Sequence, residues 1–194
     1  MDQTFPLRRR EIVEEGPPVK TLKERWPALF TERQVFAEFN RIATTNLQNN
    51  FFDAMDRYTP RFVTIFKSKK GTVGETLAEF VQQIDLRDAD SDEAWAQASA
   101  GVLTVISEDV PLCPNHLHLD AVSTAIIVEG GIVMDNLENL PQAMCLLFGL
   151  SYALHLDYPK ATKTTFNFIQ RVMLGLGENK LPPKLQSLKN LLLR

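Results

Sequence analysis

The stretch "LPQAMCLLFGLSYAL", residues 140–154, has only Gln142 and Ser151 as strongly polar side chains. A surface helix carries an apolar stripe on one side, whereas a helix that is apolar all round is enclosed by the rest of the molecule. Pro141 suits a first helical turn, where its missing N–H has no partner to lose. The stretch therefore predicts a buried helix near residues 140–156, lying at the centre of the fold. Its longest apolar run, "MCLLFGLSYAL", covers residues 144–154, against the roughly 20 residues that cross a bilayer. No membrane span is expected.

Upstream of it, "GVLTVIS" and "STAIIV" are rich in β-branched residues and predict buried strands. Gly130-Gly131 after Glu129 is suited to turn the second of these into "IVM" as a hairpin. The first half of the chain has a different period. Phe36, Phe39, Ile42 and Ala43 recur at helical spacing over about 31–45, with Thr31 and Gln34 at capping-box spacing. Leu47, Phe51, Met55 and Tyr58 predict a second helix. Thr59-Pro60 reads as the start of a short third one carrying Phe62, Ile65 and Phe66. Val73, Leu77, Phe80, Val81 and Ile84 share one face of a fourth. Beyond the central helix, Pro159 opens a helix with Phe166, Ile169, Val172, Met173 and Leu176 inward, which Gly177 stops. After Pro182-Pro183, Leu185, Leu188 and Leu192 define a last amphipathic helix. The expectation is an α+β fold, mainly α, with about seven helices around a small antiparallel sheet of two or three strands. Residues 1–25, with "RRR", "VEEG" and "PP", show no sustained periodicity and read as a flexible N-terminal tail. Residues 26–194 then form a single mainly helical globular domain.

The 194 residues are 44% hydrophobic and 23% charged, ordinary values for a globular chain. The first residues, "MDQTFPLRRREIVEEG", contain no apolar core for export, and two cysteines, Cys113 and Cys145, suit a reducing compartment. An intracellular protein, cytoplasmic or nuclear and not secreted, is expected. The net charge of −3 hides a sorting along the chain. Asp85 to Glu138 holds eleven acids against Arg87 alone, while Arg57 to Lys70 holds five bases and no acid. Acidic and basic faces follow from such sorting, or simply solvated helices and loops.

Chemistry is sparse. "PLCPNHLHLD", residues 111–120, supplies Cys113, His116, His118 and Asp120, four metal-ligating types by count. Packed into eight residues they leave no second segment for a metal to hold, and the alternation of Leu117 and Leu119 with the histidines suits a connection entering a strand. Cys145, within the apolar helix, is not an activated thiol. His155 at the end of that helix complements its dipole. "KSKKGTVG", residues 67–74, places Lys67, Lys69 and Lys70 before a Gly71–Gly74 pair between two expected helices. That layout resembles the backbone-clamping loop of the KH nucleic-acid module, although the strand which should precede its first helix is replaced by a helical segment. Glu75 follows the second glycine where a phosphate-binding loop has lysine.

Whole segments carry a broader likeness. "ERWPALFTERQVFAEFNRI", "FFDAMDRYTPRFVTIFKSKKGTVG", "GVLTVISEDVPLCPN", "STAIIVEG" and "LPQAMCLLFGLSYALHLDYPK" resemble the C-terminal region of largely uncharacterised vertebrate proteins, abundant in fish, that are themselves similar to sterile alpha motif domain-containing protein three. The resemblance covers about Lys23 to Arg194. It implies an intracellular domain appended to interaction modules and brings no catalytic or binding residue. Between Leu86 and Asp92 this chain has only "RDADS" where the family runs through a longer apolar stretch. A non-enzymatic protein-interaction domain without a cofactor is therefore the leading expectation, its protein partner unidentified. Nucleic-acid binding through residues 67–74 is the alternative, and a metal-dependent enzyme using residues 113–120 a further one.

Overall fold

The computed structural model describes residues 1–68, 98–106, 121–158, 162–177 and 181–193. In chain order the elements are α1 (Phe5–Arg10), continued by a π-helical turn (Glu11–Glu15), then α2 (Val19–Arg25), a 3-10 turn (Pro27–Phe30), α3 (Glu32–Ala43) and α4 (Leu47–Ser68). Strands β1 (Ala100–Ile106), β2 (Ala121–Val128) and β3 (Gly131–Met134) follow. The chain closes with α5 (Leu140–Ala153), α6 (Lys163–Phe168) continued by a second π-helical turn (Ile169–Met173), and α7 (Pro183–Leu192). Seven α-helices among the described residues and one three-stranded sheet make a mainly helical α+β fold.

The central helix lies where its composition demands. Asn139 caps α5, its side chain accepting from the Gln142 N–H at 2.9 Å, and Pro141 occupies the first turn. Ala143, Cys145, Leu146, Leu147, Phe148, Leu150 and Ala153 are all buried. α3 packs along one side of α5 and the sheet along another. The close approach to α3 and the start of α4 is made at Gly149, where a side chain would meet Val35 and Leu47. Phe39 of α3 and Phe148 and Tyr152 of α5 bring their rings within 4.7–5.8 Å of one another, and Phe166 and Tyr158 extend the cluster.

The sheet is antiparallel in the order β1-β2-β3, with Val102 opposite Ile126 and Val128 opposite Gly131. β2 is buried continuously from Thr124 to Val128, which is why its sequence reads as an unbroken apolar run. The hairpin turn falls on Glu129-Gly130, one residue earlier than the glycine pair suggests. Both residues have positive φ, 51° and 72°, as a tight turn matching the strand twist requires. Glu129 holds this conformation while its Oε2 accepts the Val19 N–H at 2.8 Å, tying α2 to the hairpin. Lys23 Nζ, also on α2, donates to the Ile132 carbonyl of the β3 edge at 2.9 Å.

Three expectations are corrected. The flexible tail over residues 1–25 is folded instead: Arg8, Glu11, Ile12, Val19 and Leu22 are buried. Arg8, Glu11 and Ile12 are spaced i, i+3, i+4, one helical face, but two of the three are charged and leave no apolar period to detect. Thr59-Pro60 does not begin a helix, because α4 runs through Pro60 without a break. Asp56, Thr59, Pro60 and Arg61 are all exposed, so the carbonyl deprived of its amide partner lies on the solvent side. Thr31 does not form a capping box; its hydroxyl donates back to the Ala28 carbonyl at 2.8 Å.

Candidate functional site at the end of the central helix

α5 ends in a left-handed cap. The Leu156 N–H donates to the Ser151 carbonyl at 2.8 Å and the His155 N–H to the Tyr152 carbonyl at 3.3 Å, the paired bonds of a Schellman motif. His155 takes the left-handed position, φ 55°, that glycine usually fills. Its role is backbone geometry at the negative end of the helix, with an exposed imidazole. A second cap arrives from the other end of the chain. Arg9 Nη1 donates to the Tyr152 carbonyl at 2.9 Å and the Ala153 carbonyl at 3.4 Å, placing a cation where the helix dipole is negative. Burial lowers the Arg9 pKa while nearby Glu38 raises it, and the guanidinium keeps its charge in any case.

Arg8, the preceding residue, turns inward. Its side chain is fully buried, Nη2 is paired with Glu38 Oε1 on α3, and Nη1 donates to Thr4 Oγ1 at 2.9 Å. Its guanidinium lies 5.6 Å from the Trp26 ring centroid, with Arg25 at 5.7 Å. The Trp26 indole N–H donates to Glu11 Oε2 at 3.2 Å, and Arg25 is paired with Glu11 Oε1 at 3.1 Å. Arg41 shares the Glu38 carboxylate at 2.8 Å and is paired with Asp2. Burial pushes the Glu38 carboxyl up from its ordinary range, and Arg8 and Arg9 pull it back only in part. Arg8 Nε is buried without a hydrogen-bond partner. The ion pair thus defines where α1 sits more than it stabilises the fold, since desolvation of both charges offsets their attraction.

Ile12 is the one buried apolar side chain between Phe5 and Glu15, and it contributes about 1.5–3 kcal/mol. The placement of this segment therefore depends on polar contacts: Arg8 with Glu38, Arg9 with the α5 carbonyls, and Glu11 with Trp26 and Arg25. Hollows flank it. One, of ≈ 400 Å³, is lined by Arg9, Ile42, Tyr152, His155 and Tyr158 among others. The second, of ≈ 480 Å³, is lined by Phe5, Pro6, Arg9, Arg10, Val13 and Glu14. Leu7 and Val13 are exposed on the same segment at 47% and 44%. The Tyr158 hydroxyl donates to Gln170 Oε1 at 3.3 Å, and burial raises its pKa, so it remains protonated.

The residues singled out for ligands in the sequence lie elsewhere. Lys67 falls in the last turn of α4, while Lys69, Lys70, Gly71 and Gly74 lie outside the described residues. Cys113, His116, His118 and Asp120 lie outside them as well, within the connection that β1 and β2 close by pairing Ile106 with Ala121. No group of three metal-ligating side chains occurs among the described residues. Cys145 is fully buried and its thiol is pushed up to about 12. Arg8, Arg9 and Glu38 are the residues that sequence reasoning missed. One signal was legible: Val35, Glu38, Phe39 and Ile42 occupy i, i+3, i+4 and i+7, so an acid stands on the inward stripe of α3.

Fold and site together define a mainly helical α+β domain whose N-terminal helix reaches across to the end of its central one. A family model described as the helical domain of sterile alpha motif domain-containing protein 3 matches residues 1–31. The matched segment is α1, its π-helical turn, α2 and the 3-10 turn, the part of the chain that places Arg8 and Arg9. No curated protein and no solved structure matches the chain. Among the described residues, no helix is long and apolar enough to cross a membrane.

Proposed function

We propose that this chain is a non-enzymatic, intracellular protein-interaction domain, and that the face built by residues 1–31 is where a partner is engaged. The observation that carries this reading is the match of residues 1–31 to the helical domain of sterile alpha motif domain-containing protein 3. Exposed Val13, which lines one of the hollows, and exposed Leu7 give the same segment apolar surface that the core does not use. The wider resemblance over Lys23 to Arg194, to the C-terminal region of fish-abundant vertebrate proteins, belongs to this proposal and extends the likeness along the chain.

Affinity capture from native cells with the wild-type chain and with Leu7→Asp/Val13→Asp tests the reading. A protein retained by the wild type and lost from the variant supports it. Equal retention by both, or nothing above background, overturns it. Circular dichroism of the variant shows that it remains folded, since both side chains are exposed.

A further inference from the structure

Arg8 and Arg9 are adjacent in sequence but are received by two different elements. The Glu38 carboxylate on α3 takes the first, and the Tyr152 and Ala153 carbonyls at the end of α5 take the second. Both receptors belong to the body of the fold and neither belongs to the segment they hold. The segment itself is joined to the body through Gly16, at φ 56°, and Pro17-Pro18. Glycine permits the left-handed turn and the prolines limit the backbone on the far side, which localises any swing to one point. Little apolar surface resists such a swing, because Ile12 is the one apolar side chain buried between Phe5 and Glu15; the bonds of buried Glu11 to Trp26 and Arg25 must open with it.

We propose that Glu38 and the carbonyl end of α5 form a receptor for a pair of adjacent arginines on a helix, filled in cis by Arg8 and Arg9. The segment Phe5–Glu15 is then an autoinhibitory strap, and the occupant that replaces it is an arginine-paired helical segment of a protein partner. Charge complementarity supports that occupant: a buried carboxylate and the negative end of a helix accept guanidinium groups in a fixed relative position. This inference rests on the interaction-domain reading but places the displacing segment on the α3 and α5 surface beneath Phe5–Glu15, so it does not use the exposed Leu7 and Val13 side chains, and their substitution bears on the proposed function alone.

The test uses a fluorescent peptide of residues 1–17 as the probe, added to the full chain. Arg8→Ala/Arg9→Ala empties the receptor, so it is expected to bind the peptide at least ~10-fold more tightly than the wild type does, a difference of about 1.4 kcal/mol. Adding Glu38→Gln to that variant is expected to remove the gain. Equal binding to the variant and the wild type overturns the proposal, as does binding indifferent to Glu38→Gln. A wild-type dimer abolished by Arg8→Ala/Arg9→Ala overturns the choice of a heterologous partner, because it assigns the receptor to a second copy. Hydrogen exchange on the wild type serves if the double variant does not fold. Amides of Phe5–Glu15 that exchange ~10-fold or more faster than those of α5 support a separately opening strap, and exchange in step with α5 overturns it. A failed peptide experiment beside a successful partner capture removes the strap and leaves the interaction domain standing.

Discussion

A β-carbon at Gly149 would lie 2.7 Å from Val35 Cγ1 and 2.9 Å from Leu47 Cδ2, both deep in the core. Neither neighbour has room to retreat, so Gly149→Ala is expected to destabilise the fold by about 1–3 kcal/mol, read from the urea midpoint. The reverse holds at His155. Its left-handed φ of 55° suits glycine, so His155→Gly is expected to raise stability by about 1 kcal/mol in the same measurement. Cys145 sets an alkaline limit. The thiol is protonated in both states below pH 9, but between its ordinary pKa of 9.0 and its folded value of about 12 only the unfolded chain ionises. Stability is therefore lost as pH rises through that window, by about 4 kcal/mol in all. Cys145→Ala, measured beside the wild type from pH 9 upward, is expected to lack this share of the decline. The same burial made Cys145 legible as an inert thiol from its apolar neighbours alone. The fate of Arg8 was not legible, because a buried arginine is justified only by a carboxylate thirty positions away.

Helix α4 shows how an element can override a local signal. A proline in a helix interior costs about 3 kcal/mol, and Thr59-Pro60 has the form of a helix start. The helix persists because Ala54 and Tyr58 before the proline are buried, and Phe62 and Ile65 after it pack against the same cluster. The exposed flank also tolerates the lost amide. Pro60→Ala restores that amide and is expected to stabilise the chain by about 1–2 kcal/mol, less than the full helix cost because proline also restricts the unfolded state. A fall in the urea midpoint would contradict the account. The strands were legible for the opposite reason. The β-branched runs survive in the sequence, buried in β2 and at the end of β3 and half-buried over most of β1, and the Glu129-Gly130 turn leaves its glycine as a marker. α1 and its π-helical turn left no such trace, since their inward positions are Arg8, Glu11 and Ile12.

Across the molecule, burial is divided between a large cluster around α5 and a small one of Ala54, Tyr58, Val172 and Leu192, where α7 rests on α4. The small cluster has fewer apolar contacts to lose, so α7 is expected to open separately from the core. Leu192→Ala should cost about 2–3 kcal/mol locally, speeding amide exchange in α7 while leaving that of α5 unchanged. Uniform acceleration in both helices would show one cooperative unit instead. By itself the sequence determined the central helix, the three strands, the hairpin and the inward faces of α3, α5 and α7, because each encloses apolar residues at a period that local order preserves. Only the tertiary structure decided that residues 1–25 belong to the body of the fold, that α4 passes through its proline, and that Arg8, Arg9, Glu38 and the end of α5 meet. Those outcomes depend on charges and carbonyls far apart along the chain, whose partnership has no period and becomes visible only once the elements have packed.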